Sequence, residues 1–403
     1  MLALLLKNAL ISRKCIKEGF KMNRSAGSYI TTTTLGEAVQ AFVPHALPPT
    51  APALSADSYE AQNRAAELAL ARLSGVSGLV PSVDWLLYSA IRKEALLTSQ
   101  IEGTQATLTD LFDAEAGLEV NNTDDLEEVT NYLRAFRLVR ENLRDPNGLP
   151  ISARLICDAH RLLLDGARGT GKQPGELRRS QNWIGGTRPG NAVFVPPPAD
   201  HVANLLGDLE RFIHANPPGL PPLVNIALVH AQFETIHPFL DGNGRIGRLL
   251  IAALLEHWGV LREPLMYLSG YLKQHQSEYY RLLSGIRTEG NWEAWISFFL
   301  DGITAAAGEA ERSIVEIASL VAADRRRLLD SPKSGPAAYR LFELLPMMPR
   351  FTVERVRQKL STSFPTANAA VKTLGDLGIV AEMTGQKKNR SFSYQSYIEL
   401  LTK

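Results

Sequence analysis

Residues 237–248 read HPFLDGNGRIGR, which places a titratable base (His237), a carboxylate (Asp241), glycines at 242 and 244 and two fixed cations (Arg245, Arg248) in one short run. Glycine lets main-chain N–H groups come close to an anion, and the planar guanidinium of arginine matches phosphate oxygens. Imidazole exchanges a proton near neutral pH. The mixture points to chemistry on a phosphate-bearing ligand. Upstream, Leu223, Ile226, Ala227, His230 and Phe233 recur at helical spacing, and downstream Ile246, Leu249, Leu250, Ala253 and Leu254 do the same. The run is therefore expected to join two helices. Its Gly/Asn segment would open the second, where free N–H groups and the helix dipole favour phosphate.

The run fits every fixed position of His-x-Phe-x-(Asp/Glu)-Gly-Asn-Gly-Arg-x-x-Arg, and in this it resembles the Fic family of protein adenylyltransferases. That resemblance implies a mainly α fold with a β-hairpin flap over the site. It also implies transfer of AMP from ATP to a Tyr, Thr or Ser hydroxyl of a target protein, with release of diphosphate. By position, His237 would be the general base and Asp241 the residue that holds Mg²⁺. Gly242, Asn243 and Gly244 would form the anion hole, Arg245 and Arg248 would take the outer phosphates, and Phe239 would anchor the loop in the core. Glu234 joins the expected ATP-binding set. So do Tyr279 and Tyr280, because a Tyr pair lines the adenine pocket in related proteins; the family's following Asn is replaced here by Arg287 and Thr288. Removal of AMP by the same loop, or nucleotide sensing by a transcriptional regulator, are the competing readings. Fic relatives that act as kinases carry Ala and Lys where this chain has Gly242 and Gly244.

A second motif lies upstream. Thr98-Ser99-Gln100-Ile101-Glu102-Gly103 closes a helical pattern through Trp85, Leu87, Ile91 and Ala95, with Gly103 as a helix stop. Alone, such a pattern describes a solvated helix end. Beside the 237–248 run it resembles the (Ser/Thr)-x-x-x-Glu-(Gly/Asn) inhibitory motif of the same family, which implies that Glu102 pairs with Arg248 and excludes the γ-phosphate. Between the motifs, residues 178–198 (RRSQNWIGGTRPGNAVFVPPP) carry hairpin signals. Ile184, Gly185, Gly186 and Thr187 are the flap candidates, on which a target segment would dock by strand addition.

The 403 residues, 45% hydrophobic and 21% charged, suffice for two or three units, and a net charge of +1 names no polyanionic partner. Two cysteines, Cys15 and Cys157, support neither a disulfide framework nor a Cys-rich metal site, so a cytoplasmic setting is expected. Residues 1–57 are expected as an extension and an irregular wrap, with Met22 a plausible start, and no membrane anchor is expected. Helical patterns at 59–73, 82–102, 124–143 and 151–164 make a helical region (58–149) and open the catalytic region (150–330), which two further helices over 291–330 complete. From Pro332 onward, Lys and Arg number 11 against 5 Asp and Glu. Helices at 337–345, 353–360 and 365–377, followed by Lys387, Lys388 and Arg390 in a strand turn, resemble a winged helix-turn-helix over 336–403. Thr366, Asn368 and Lys372 would face DNA, with protein contact or homodimerisation as the alternative use.

Overall fold

A computed structural model describes residues 24–166, 171–215, 219–386 and 390–402. The expectations for residues 1–21, Met22, Cys15 and the basic turn at Lys387 and Lys388 lie outside these residues. The fold is mainly α with small sheets. Its elements in order are β1 (Gly27–Thr34), β2 (Glu37–Pro44), α1 (Glu60–Val76), α2 (Val83–Ile101), α3 (Leu108–Glu115), α4 (Thr123–Arg144), α5 (Ala153–Leu163), α6 (Ala199–Ala215), α7 (Pro222–Ile236) and α8 (Asn243–His257). They continue with α9 (Leu268–Gln274), α10 (Gln276–Glu289), α11 (Trp292–Asp330), α12 (Pro336–Leu344), β3 (Arg350–Thr352), α13 (Val353–Leu360), α14 (Phe364–Asp376), β4 (Ala381–Glu382), β5 (Ser391–Ser393) and α15 (Gln395–Thr402).

The centre is α7 packed on α8. Nearly every side chain of α7 is buried, from Leu223 to Ile236, as its almost continuous apolar sequence requires. Pro222 opens the helix at a position where its missing N–H costs nothing. Trp295 of α11, fully buried, donates its indole N–H to Ala227 O at 2.8 Å and so fixes α11 against α7.

Two expectations are corrected. The stretch expected as two helices over 291–330 forms one helix of 39 residues, Trp292–Asp330, because no glycine or proline in it stops the helix: Gly302 and Gly308 sit inside regular turns. The supposedly irregular stretch at 23–57 contains the β1–β2 hairpin, paired from Gly27↔Pro44 to Thr34↔Glu37 around Leu35 and Gly36, both at positive φ. Leu-Gly is not among the usual hairpin dipeptides, and the Thr-rich strand shows no clean alternation of apolar and polar residues, so the signal was weak.

The N-terminal segment is held down by a buried ion pair. Arg24 and Glu293 of α11 meet in a two-pronged contact, Nη1–Oε2 and Nη2–Oε1 both at 2.8 Å, while Arg24 Nε donates to Pro52 O at 2.7 Å. The C-terminal unit, α12 to α15 with the antiparallel sheet β3-β5-β4, rests on α11 through Tyr394 Oη donating to Asp324 at 2.7 Å. No helix among the described residues is long and apolar enough to cross a membrane.

Breaking a buried pair strands a charge, at about 3–5 kcal/mol, whereas replacing both partners by apolar groups is often nearly neutral. Arg24→Met is therefore expected to lower the urea midpoint clearly, and Arg24→Met with Glu293→Met to recover much of the loss. Urea unfolding followed by tryptophan fluorescence checks both.

Candidate active site

The loop between α7 and α8 is built by its own side chains. His237 ends α7 in a left-handed conformation (φ 50°), its N–H still bonded to Phe233 O at 2.9 Å. Phe239 is fully buried and stacks on His160 of α5, ring centroids 3.7 Å apart. Asn243 clamps the turn: Oδ1 accepts from Phe239 N and Nδ2 donates to Phe239 O, both at 2.9 Å. Its side chain therefore shapes the loop, and only its main chain remains for an anion. Gly242, at φ 76°, is the N-cap of α8, so the N–H groups of Asn243, Gly244 and Arg245 fall in a first turn, where a helix leaves them without internal partners.

Both motif arginines are buried and both are engaged by carboxylates from upstream helices. Arg248 donates Nε to Thr98 Oγ1 at 2.6 Å, and its Nη2 reaches Thr98 O at 3.1 Å and Glu102 Oε1 at 2.5 Å. Burial would raise the pKa of Glu102, but the guanidinium outweighs it and holds the carboxyl below its usual range. Glu102 caps the C-terminal end of α2 just before Gly103 (φ 109°), whose N–H bonds to Gln100 O at 3.1 Å, the predicted stop. The carboxylate lies over the anion loop: a methyl group built on Gly244 would collide with Glu102 Oε1 and sit 2.9 Å from Arg248 Nη1. Arg245 Nη1 donates to Glu128 of α4 at 2.8 Å, and its Nη2 lies 3.6 Å from Asp241.

His237 is partly buried, and its Nδ1 has no hydrogen-bond partner among the described residues. Burial first, and the Arg178 charge second, bring its pKa down to about 4, so the imidazole is neutral and able to accept a proton at physiological pH. Glu234, one turn earlier on α7, is pushed up to about 7 by burial. Asp241 is half exposed, and its Oδ1 accepts the Gly242 N–H at 2.6 Å. Among the described residues no group of three or more His, Cys, Asp and Glu gathers to hold a metal.

The flap is pinched by one antiparallel bridge, Ile184↔Phe194, with Gly185 and Gly186 at φ 68° and 74°. Asn191 Oδ1 accepts the N–H groups of Thr187 and Arg188 at 3.0 Å, and Val195 O accepts Phe42 N of β2 at 3.0 Å. The N-terminal hairpin thus backs the flap, and Glu37 at its turn pairs with Arg188. The two tyrosines diverge. Tyr279 is 1% exposed and its Oη bonds to His230 at 2.9 Å, whereas Tyr280 is 48% exposed. Arg287 lays its guanidinium on the Phe194 ring, 3.9 Å from the centroid.

Three residues escaped sequence reasoning. His160 accepts Gly175 N–H at Nδ1 (2.9 Å), which leaves Nε2 to donate to Asp241 O (3.0 Å) and makes it a brace for the loop. Glu128 and Arg178 also bear on the loop, and neither sits in a local pattern that separates it from a solvated charge.

Burial holds the pKa of His160 at about 4 and of His230 at about 3, against an ordinary 6.5. The unfolded chain therefore binds more protons below pH 6.5, so this stability is complete above 6.5 and lost as pH falls toward 4. Thermal melts from pH 7.5 to 4.5 are expected to show a falling midpoint. His160→Asn is expected to flatten the slope by up to about 1.4 kcal/mol per pH unit.

Comparison with known proteins matches residues 61–141 to the family described as Fic/DOC family N-terminal and residues 150–255 to the Fic/DOC family. The protein adenylyltransferase Fic of Drosophila ananassae is 29% identical over 211 residues, covering 51% of this chain and 38% of that protein. The Drosophila melanogaster protein of the same name is 29% identical over 208 residues, covering 50% and 38%. The chain thus spans less than two fifths of the length of these curated relatives. The fold resembles a Fic family protein from Desulfovibrio desulfuricans G20 (TM-score 0.55, 20% identity, 85% of this chain and 97% of that one). It also resembles a Fic domain containing signaling protein from Bacteroides thetaiotaomicron VPI-5482 (TM-score 0.51, 20% identity, 62% and 97%). Over residues 61–141 and 150–255 the chain is thus similar to proteins of the Fic/DOC family.

Proposed function

We propose that this chain is an ATP-dependent protein adenylyltransferase held in its resting state by Glu102. The observation that carries the reading is the Glu102 carboxylate, seated on Arg248 and over Gly244, where a nucleotide phosphate would have to lie. A carboxylate there mimics the anion that the loop is built to receive. His237 then accepts the proton of a target hydroxyl held on the flap at Ile184 to Thr187. The N–H groups opening α8 and the two arginines stabilise the charge that develops on the phosphate oxygens. An anion arriving beside His237 also raises its basicity, so nucleotide binding itself tunes the base. Asp241 offers a half-exposed oxygen donor beside the first turn of α8. That fits Mg²⁺, which takes one or two carboxylates together with phosphate oxygens and would offset phosphate charge when bound.

Glu102→Gly removes the mimic while Thr98 still holds Arg248. Incubated with ATP and Mg²⁺, that variant is expected to gain +AMP adducts on itself or on cell-extract proteins, at least about tenfold above the parent, since alignment governs a large share of such barriers. Adding His237→Ala is expected to remove about 10²- to 10⁴-fold of that signal. Intact-mass and peptide mass spectrometry read both; no adduct in Glu102→Gly favours a nucleotide sensor.

For the C-terminal unit we propose a winged helix used in protein contact. Phe364 and Asn368 of α14 face a polar cleft shared with Asp113 and Glu119, and Asn368 accepts from Arg390 at 2.9 Å, which occupies part of the face that would read DNA. Gel shifts at 50 mM salt are expected to show no retardation; a salt-sensitive shift would restore the DNA reading.

A further inference from the structure

The catalytic loop and the flap come from separate parts of the chain, and one buried guanidinium touches both. Arg178, 2% exposed, donates Nε to His237 O at 2.9 Å. Its Nη2 reaches Pro197 O at 2.5 Å and Ile236 O at 3.4 Å, and its Nη1 reaches Ser180 O at 3.3 Å. Its own main-chain N–H donates to Pro238 O at 2.9 Å. The acceptors are all main-chain carbonyls, and Arg178 makes no ion pair among the described residues. Desolvation pulls its pKa down to about 10, so this is a cation buried against its own preference.

A cation kept under that strain must supply something an apolar residue of similar size would not. What it supplies is direction. The carbonyls of Ile236 and His237 belong to the last turn of α7, where a helix leaves its carbonyls without internal donors and favours positive charge. Pro197 and Ser180 flank the flap on both sides of the Ile184↔Phe194 bridge. A rigid fork of donors spans the two groups, and a lysine, with one rotatable point charge, does not. We propose that Arg178 is a positioning residue that sets the distance between His237 and the flap, so that base and acceptor strand keep one register. This rests on reading His237 as the base and the flap as the target-holding strand.

The test uses the full chain carrying Glu102→Gly, with Arg178→Met and Arg178→Lys added separately. Three quantities are read: amide exchange at Ile184, whose N–H bonds to Phe194 O at 2.8 Å, the imidazole titration of His237 by NMR, and the rate of AMP incorporation from labelled ATP into the chain itself. Arg178, Arg287, Glu102 and the Glu234 main chain all act on that imidazole, and Glu102 is absent from parent and variants alike. Arg178→Met is expected to speed Ile184 exchange about tenfold or more and to move the His237 titration upward, since a positive charge has gone. It should also lower the rate of that self-modification about tenfold while ATP affinity holds. Arg178→Lys is expected to keep the titration near that of the parent yet still loosen the flap and slow transfer. If lysine matches the parent in exchange and kinetics, or if methionine leaves exchange and titration unmoved, the proposal falls. If exchange and titration change as expected but the parent transfers nothing, the staple stands and the adenylyltransferase reading fails.

Discussion

A guanidinium at the heart of a helical core must find acceptors, and Arg248 finds them on α2. Thr98 contributes both its hydroxyl and its carbonyl, and Glu102 completes the set, so the contact is a packing solution and, on the proposed function, also fills the place of a phosphate. The rest of the region is arranged to keep α2 in place for it. Glu94 accepts the N–H and hydroxyl of Ser269 at the start of α9, Arg92 pairs with Glu115 of α3, and Gln276 of α10 donates to Ile101 O at 3.2 Å. A helix pinned at several points brings its last residue to one position. On the proposed function, that precision is what would let a single carboxylate compete with a nucleotide.

Charge balance on the loop follows from the same constraint. Arg245 is as deeply buried as Arg248 and takes Glu128 from α4 while lying near Asp241. Two cations that would serve phosphate are thus stored against two carboxylates from different helices. The two pairs differ in consequence. Glu102 covers the loop above Gly244 and on the proposed function would have to leave when phosphate arrives, whereas Glu128 holds Arg245 from the α4 side.

The shape of the loop was legible in the sequence because it is local. His237 to Arg248 lie on one turn and one helix end, so spacing alone placed the base at a helix terminus and the Gly/Asn segment at a helix start. The predicted stop at Gly103 was legible for the same reason: positive φ after a helical run is a local demand. The braces were not. His160 meets Asp241 across 81 residues and Arg178 meets His237 across 59, and no periodicity marks a histidine or arginine whose partners are carbonyls far along the chain. The β1–β2 hairpin failed to show because its turn uses Leu35 at positive φ.

The low basicity of His237 is best understood as a property of the resting state rather than a defect in a base. Burial and the Arg178 and Arg287 charges favour neutral imidazole, while the Glu234 main chain and, from across the site, Glu102 pull the other way. Exchanging Glu102 for a polyphosphate replaces one negative charge with several at the same mouth of the loop, and each favours the imidazolium that forms when a hydroxyl proton is taken. On the function proposed above, the base would therefore strengthen as substrate displaces Glu102.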